Sequence, residues 1–446
     1  MAGQAFVPHV LFGLDPMAVS TAILCVTYAA IIWDKLNRAI VALVGAAVAI
    51  LVGALDQNEA LKGVDWNTIG TLAGMMIIMS IAQRSGVFQF LAIWSAQWTR
   101  ANPTALLVLL QIVTAVTSAL LNNVTTVLLM APVTLAITRE LDVPPYPFLF
   151  AEVFASNIGG TATLIGDPPN IMIGSLAGLD FNAFVVHLAP VIIVVQAAQL
   201  GMTHLVWGRE MRSSRAHRAR VMAMNAKAQI VDRVLLVQSA AVLLLTILAF
   251  IAAGPLGLEP ATIAMTGAAV LMLLDNWQHH NEKQTENVHR TFFDVEWITI
   301  FFFIGLFIVV HAVEVSGLLQ LLAVKLVAAT GGSIANAGYS ILWASALLSA
   351  IIDNIPFVAT MIPLIKSMAP AYGGTDQIEP LWWCLALGAC LGGNGTLIGA
   401  SANLTVAGVA ERNGVPFGFV RFTLYAMPMM LVSIAICHVY VWWRYF

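Results

Sequence analysis

The chain has 446 residues, 60% of them hydrophobic and 10% charged, with a net charge of -3. A soluble domain carries roughly 25% charged residues, so this chain has too little polar surface for a water-facing fold, and a mean hydropathy of +0.87 makes an all-α polytopic membrane protein the expected class. The near-neutral charge excludes a nucleic-acid partner, and the four cysteines, Cys25, Cys384, Cys390 and Cys437, form no CxxC or metal spacing and are taken as packing residues, with no metal or cofactor expected.

The N-terminal MAGQAFVPHV lacks the basic residues that open a secretory signal, so the first apolar run is expected to remain as a membrane helix. Apolar runs place spans at about 17–33, 38–55, 66–83, 146–177, 184–207, 234–253, 259–276, 296–315, 380–411 and 421–443. Residues 104–137 and 336–370 differ: each holds two apolar arms, too short to cross separately, around a polar centre, Asn122-Asn123-Val124-Thr125-Thr126 in one and Asp353-Asn354-Ile355-Pro356 in the other. These are expected to be re-entrant hairpins, whose tips survive at membrane depth only inside protein or beside water. The segment 209–233 carries Arg209, Arg212, Arg215, Arg218, Arg220, Lys227 and Arg233 against Glu210 and Asp232. That excess places it in the cytoplasm. Counting outward from there puts the 34–38 turn (Asp34, Lys35, Arg38) and the 277–295 turn (Lys283, Arg290) inside and both termini outside a cytoplasmic membrane.

Shifted by 231, the stretch from Val64 aligns with that from Val295, and 11 of 29 positions are identical, including Trp66/Trp297, Gly74/Gly305 and Ser85-Gly86/Ser316-Gly317. The same shift pairs the two hairpin tips. A shift of 233 pairs GGTATLIGDPPN (159–170) with GGNGTLIGASAN (392–403). Each half, 1–208 and 234–446, thus holds five spans and one hairpin. An odd number of spans inverts the second copy, and inverted repeats with interrupted helices mark secondary transporters with a midplane site.

Gly159, Gly160, Gly166, Pro168 and Pro169 forbid a continuous helix, so 146–177, and with it 380–411, is expected to break into two half-helices. The break presents backbone groups and half-helix ends to a ligand. Candidate substrate contacts are Asn122, Asn123, Thr126, Thr161, Thr163 and Asn170 in the first half and Asn354, Asn394, Thr396 and Asn403 in the second. The tip asparagines either cap the hairpins or bind substrate. Because intramembrane charges are costly, Asp167 and Asp353, followed by Glu152, are the candidates for proton or cation coupling. Arg84, Glu314 and Lys366 are assigned to ion pairs or interface snorkelling, and His311 to the core.

The tips together with GGTATLIGDPPNIMIGS and GGNGTLIGASANLTVAG resemble the ion transporter superfamily, and specifically its arsenite permease branch, related to sodium/proton antiporters and the P protein. The resemblance spans nearly the whole chain. It implies a scaffold supporting a mobile transport domain built from both hairpins and both broken helices. It also implies export of arsenite or antimonite by proton antiport, alone or with a soluble arsenite-stimulated ATPase, and is compatible with a homodimer. A neutral trihydroxide suits asparagine and threonine contacts. The alternatives are a sodium/proton antiporter using Asp167 and Asp353 and a dicarboxylate-type anion transporter. A membrane-embedded enzyme finds no Ser/His/Asp, HExxH or paired-histidine arrangement to support it.

Overall fold

In the computed structural model, which describes residues 6, 8–33, 35–277 and 279–446, the chain is helical throughout its ordered elements. Part of the N-terminal stretch read for a signal, and Asp34, lie outside the described residues. The first half carries α1 (Pro16–Trp33), α2 (Arg38–Leu51), α3 (Trp66–Gln83), α4 (Val87–Trp98), α5 (Pro103–Leu120), α6 (Asn123–Leu141), α7 (Tyr146–Thr161), α8 (Pro168–Ala177) and α9 (Phe181–Trp207). The second half carries, in the same order, α10 (Arg233–Ile251), α11 (Pro260–Asn276), α12 (Trp297–Val315), α13 (Leu318–Ala329), α14 (Ile334–Ser349), α15 (Asn354–Met368), α16 (Glu379–Gly392), α17 (Ser401–Arg412) and α18 (Phe419–Tyr445). Among the described residues, eight helices are long and apolar enough to cross a membrane, or up to ten if each bent pair is one span. The protein is a multi-pass membrane protein.

Local chemistry sets the boundaries. Asn102 caps α5, its side chain accepting from the Thr104 and Ala105 amides, and Pro103 occupies the first turn, where no backbone donor is missed. After α3 the chain turns at Gly86 (φ 84°), and after α12 at Gly317 (φ 87°), a left-handed conformation that favours glycine. This explains the repeated Ser-Gly pair. The turn swings α4 away from α3 by 63°. Neither α4 nor α13 stood out in the sequence, because each continues the apolar pattern of the helix before it.

The packing pairs recur as well. In one body α3 lies along α11 and α12 along α2, with α1 beside α2 and α10 beside α11. Gly74 permits the first contact and Gly305 the second: a Cβ at either would sit 2.5 or 2.6 Å from the facing backbone of Ala264 or Ala42. In the other body α5 packs on α7 and α14 on α16, while α9 meets α18.

Where two re-entrant hairpins are expected, the helices break at Leu121–Asn122, between α5 and α6, and at Ile351–Asp353, between α14 and α15. Their arms depart from expectation. In the first hairpin they run 18 and 19 residues, about 27 Å at 1.5 Å per residue, long enough for each to cross a membrane, which corrects the expectation of arms too short to cross. Both predicted broken helices are present, interrupted between Thr161 and Pro168 and between Gly392 and Ser401.

The base of the first hairpin and the end of α4 both lie against the basic linker: Ser213 Oγ donates to the Leu141 carbonyl at 2.6 Å, and Gln97 Nε2 of α4 to that of Met224. The base of the second lies against the C-terminus, where the Tyr339 and Phe446 rings are 5.4 Å apart.

Candidate functional site

The site forms where hairpin tips meet helix breaks. Matching bonds weld each tip to its break. Ser118 Oγ donates to the Ser156 carbonyl at 2.6 Å and Ser349 Oγ to that of Ala389 at 2.7 Å. Thr163 Oγ1 donates to the Ala119 carbonyl, and Thr396 Oγ1 to that of Ala350. Asn170 Nδ2 closes the first break on the carbonyls of Thr161 (3.0 Å) and Thr163 (2.9 Å). Asn403 Nδ2 closes the second on Gly393 and Thr396, both at 2.8 Å. Buried amides without such partners would cost several kcal/mol.

An amide chain then joins the halves. Asn123 Nδ2 donates to Asn157 Oδ1 at 3.1 Å, and Asn157 Nδ2 donates to Asn394 Oδ1 at 2.8 Å and Asn403 Oδ1 at 3.0 Å. Cys390, whose position matches Asn157 under the 233 shift, lies 3.4 Å from Asn170 Oδ1. All these residues are buried.

Asp167 stands at the start of α8, ahead of Pro168 and Pro169, without capping a backbone amide. It is buried, and among the described residues no donor meets either carboxyl oxygen at full hydrogen-bond geometry, the thiol and amides around it standing slightly too far or misaligned. Its polar neighbours are Cys390, Asp353, Asn354 and Asn123. An unpaired carboxylate in a dry interior is costly unless it holds a proton or a cation.

The remaining candidates fall in three groups. Asn122 and Asp353 cap α6 and α15, through the amides of Val124 (2.8 Å) and Ile355 (3.1 Å). Thr126 and Thr161 bond the carbonyl four residues back in their own helices. Glu152 stands apart from the amide chain: one carboxyl oxygen accepts from Thr134 on α6 and the other has no partner.

Asp353 has a second role. Its Oδ2 receives Arg38 Nη1 at 2.8 Å and Ser401 Oγ at 3.1 Å. Arg38, at the start of α2, also reaches Ser401 and Thr299 and lies over the Phe302 ring at 5.2 Å. Arg38, Thr299 and Ser401 line an open cavity of about 820 Å³ together with His289 and Glu296, with apolar cover from Val124 and Phe292. Glu296, just ahead of α12, receives Thr299 Oγ1 at 3.1 Å. Burial pushes its carboxyl above the usual range, an effect reduced by Thr299 and the nearby Arg38 charge.

Arg84 is paired with Asp275 at 2.6 Å and Glu314 with His311 at 3.0 Å. His311, expected as a core histidine with its hydrogen bonding satisfied, is half-buried and meets the Glu314 carboxylate.

Sequence reasoning missed Asn157, Arg38, Ser401 and Cys390. A lone amide in an apolar span is a recognisable signal for Asn157. Arg38 was visible only as a charge that orients a turn, Ser401 as one small residue in a glycine-rich motif, and Cys390 as packing.

The sequence model of the family described as "CitMHS: Citrate transporter" matches residues 28–388. An uncharacterized transporter of Mycobacterium tuberculosis is 42% identical over 433 residues, covering 96% of this chain and 98% of the relative. The P protein of Homo sapiens is 32% identical over 517 residues, covering 96% of this chain and 61% of that protein. The fold is similar to the solved YdaH transporter of Alcanivorax borkumensis, with TM-score 0.59, 13% identity and coverage of 96% and 98% of the two chains. MtrF of Neisseria gonorrhoeae gives TM-score 0.60, 10% identity and coverage of 97% and 96%. The match is to a citrate transporter family and to the P protein, and an arsenite permease is not among these relatives. The chain is a membrane transporter belonging to the CitMHS family.

Proposed function

We propose that this chain is a secondary active transporter of the cytoplasmic membrane, driven by protons, in which Asp167 binds the coupling proton. The observation that carries this is the buried carboxyl of Asp167, which faces the Cys390 thiol and the Asn123 and Asn354 amides but pairs with no cation among the described residues, where both tips and both breaks converge. Glu152, with one free oxygen, is the next candidate. The architecture we propose is two inverted repeats, the α1–α3 and α10–α12 helices forming a scaffold and the hairpins and broken helices a moving body. Supporting this, the repeat mates α3 and α12 meet end to start, with Ser80 and Gln83 bonded to the segment that enters α12. With the basic linker cytoplasmic, the Arg38 cavity opens to the cytoplasm.

The substrate class we propose is a small carboxylate anion. The matched family is described by citrate, and the cavity offers a guanidinium, the side chain best shaped for a carboxylate. Arsenite or antimonite retains one point in its favour, an amide-lined centre without a cation. The discriminating experiment is solute movement in proteoliposomes under an imposed pH gradient, with citrate, arsenite or sodium supplied. Citrate movement that collapses with the gradient is expected. Arsenite movement alone would restore the trihydroxide reading, and sodium-dependent loss of the gradient without either solute would replace both with sodium/proton antiport.

A further inference from the structure

Arg38 links parts that the alternating mechanism requires to move. It belongs to α2, packed on α12, while Asp353 belongs to the tip of the second hairpin and Ser401 to the second broken helix. A second bond, from Tyr28 of α1 to the Pro356 carbonyl at 2.6 Å, crosses the same seam. The pair is largely shut in, with the Arg38 side chain 25% exposed and that of Asp353 10%, and Arg38 is the partner that lines the cavity. Of the five guanidinium N–H donors, Nη1 serves Asp353 and Ser401 and Nη2 reaches Thr299 at a long 3.4 Å, while Nε has no partner among the described residues. The Phe302 ring centre lies 5.2 Å from the guanidinium carbon, and Arg38 lines the cavity. The other titratable groups facing it are Glu296 and His289. The first hairpin has nothing equivalent: Asn122 stands where Asp353 does and Pro168 where Ser401 does.

We propose that Arg38 is the anion anchor of the transport site, and that a carboxylate of the entering solute displaces Asp353 from the guanidinium. The Arg38–Asp353 pair is then the empty form of the site, in which the protein's own carboxylate occupies the place of the substrate's. Exchanging one carboxylate for another on the same guanidinium keeps the charge paired, so neither state leaves the guanidinium buried without a counter-ion. Loading unties the second hairpin from α2, which couples substrate entry to movement across the seam. This rests on the carboxylate reading above and names the residue that recognises the carboxylate.

The experiment is equilibrium binding of labelled citrate, succinate and acetate to the purified full-length chain, wild type beside Arg38→Gln, Arg38→Lys and Asp353→Asn, each checked for monodispersity. Anchor and competitor change affinity in opposite directions. Arg38→Gln is expected to weaken binding by about tenfold or more, the scale of a charge-assisted hydrogen bond, with Arg38→Lys between it and wild type. Asp353→Asn is expected to tighten it. A purely structural lock would lose its ion pair in either variant, so equal effects of Arg38→Gln and Asp353→Asn, or weaker binding by Asp353→Asn, would overturn the proposal while leaving the carboxylate reading intact. Failure of wild type to bind any of the three anions would overturn both.

Discussion

Asp167 and Asp353 look interchangeable in the sequence, yet their surroundings separate them. Asp353 caps a helix and holds a guanidinium, so its charge is satisfied. Asp167 has neither partner. If it carries the coupling proton, Asp167→Asn is expected to abolish gradient-driven accumulation while citrate counterflow between preloaded vesicles persists, because exchange needs no net proton movement. Accumulation surviving in the variant would remove Asp167 from the mechanism. Glu296 offers a test in pH. Burial raises its carboxyl, so the folded chain holds this proton more tightly than the unfolded chain does. Glu296 therefore works against folding at neutral pH, and the penalty fades as pH falls through the carboxylate range. Glu296→Gln is expected to raise the thermal midpoint at pH 7 and to lose that advantage near pH 4. A midpoint lowered equally at both values would mean that its bond with Thr299 and its attraction to Arg38 outweigh the burial.

At the scale of elements, the breaks in α7–α8 and α16–α17 are held by backbone meeting backbone. A Cβ on Gly166 would lie 2.5 Å from the Gly160 carbonyl oxygen, and one on Gly399 2.7 Å from that of Gly393. Neither neighbour can rotate away. Gly166→Ala and Gly399→Ala are each expected to cost about 1–3 kcal/mol, the range for overpacking, seen as a lower thermal midpoint and reduced transport. Gly201→Ala in α9, with open space around it, is the control and is expected to be neutral or mildly stabilising. These breaks were legible because the sequence spells them twice, with glycines in both copies and prolines in the first where a helix cannot continue. Span positions were legible for the same kind of reason: the apolar run at 66–83 and the helix Trp66–Gln83 coincide. The site was legible as a list of polar residues and illegible as a network. Nothing in the spacing shows that Thr126 and Thr161 spend their hydroxyls on their own helices, or that Asn157 bridges the two halves. Arg38 and Asp353 are 315 positions apart, and only the fold brings a scaffold terminus to a hairpin tip.

For the whole molecule, the decisive question is whether the two hairpins enter from opposite sides. The first base rests on the linker through Leu141 and Ser213, and Tyr146, just beyond it, meets Phe417 at the start of α18, with ring centres 5.0 Å apart. The second base rests on Phe446, at the other end of the 27-residue α18. A 27-residue helix spans about 40 Å, more than the roughly 30 Å hydrocarbon core, so its two ends lie on opposite faces of a bilayer that it crosses. The bases should then be reached from opposite compartments. Cys384, Cys390 and Cys437 are buried and Cys25 is exposed, so a Cys25→Ser background leaves no accessible thiol in the resting fold. In that background Glu140→Cys, at the first base, is expected to react with an impermeant maleimide only from the cytoplasmic side of oriented vesicles, and Asn336→Cys, at the second, only from the other. A third site, His289→Cys on the cavity wall, is expected to follow Glu140→Cys and to be shielded by citrate if, as proposed, the cavity that holds Arg38 opens to the cytoplasm. Labelling of Glu140→Cys and Asn336→Cys from one side would exclude the inverted repeat. The seam between α2 and the second hairpin would then have to be explained without two bodies moving past each other.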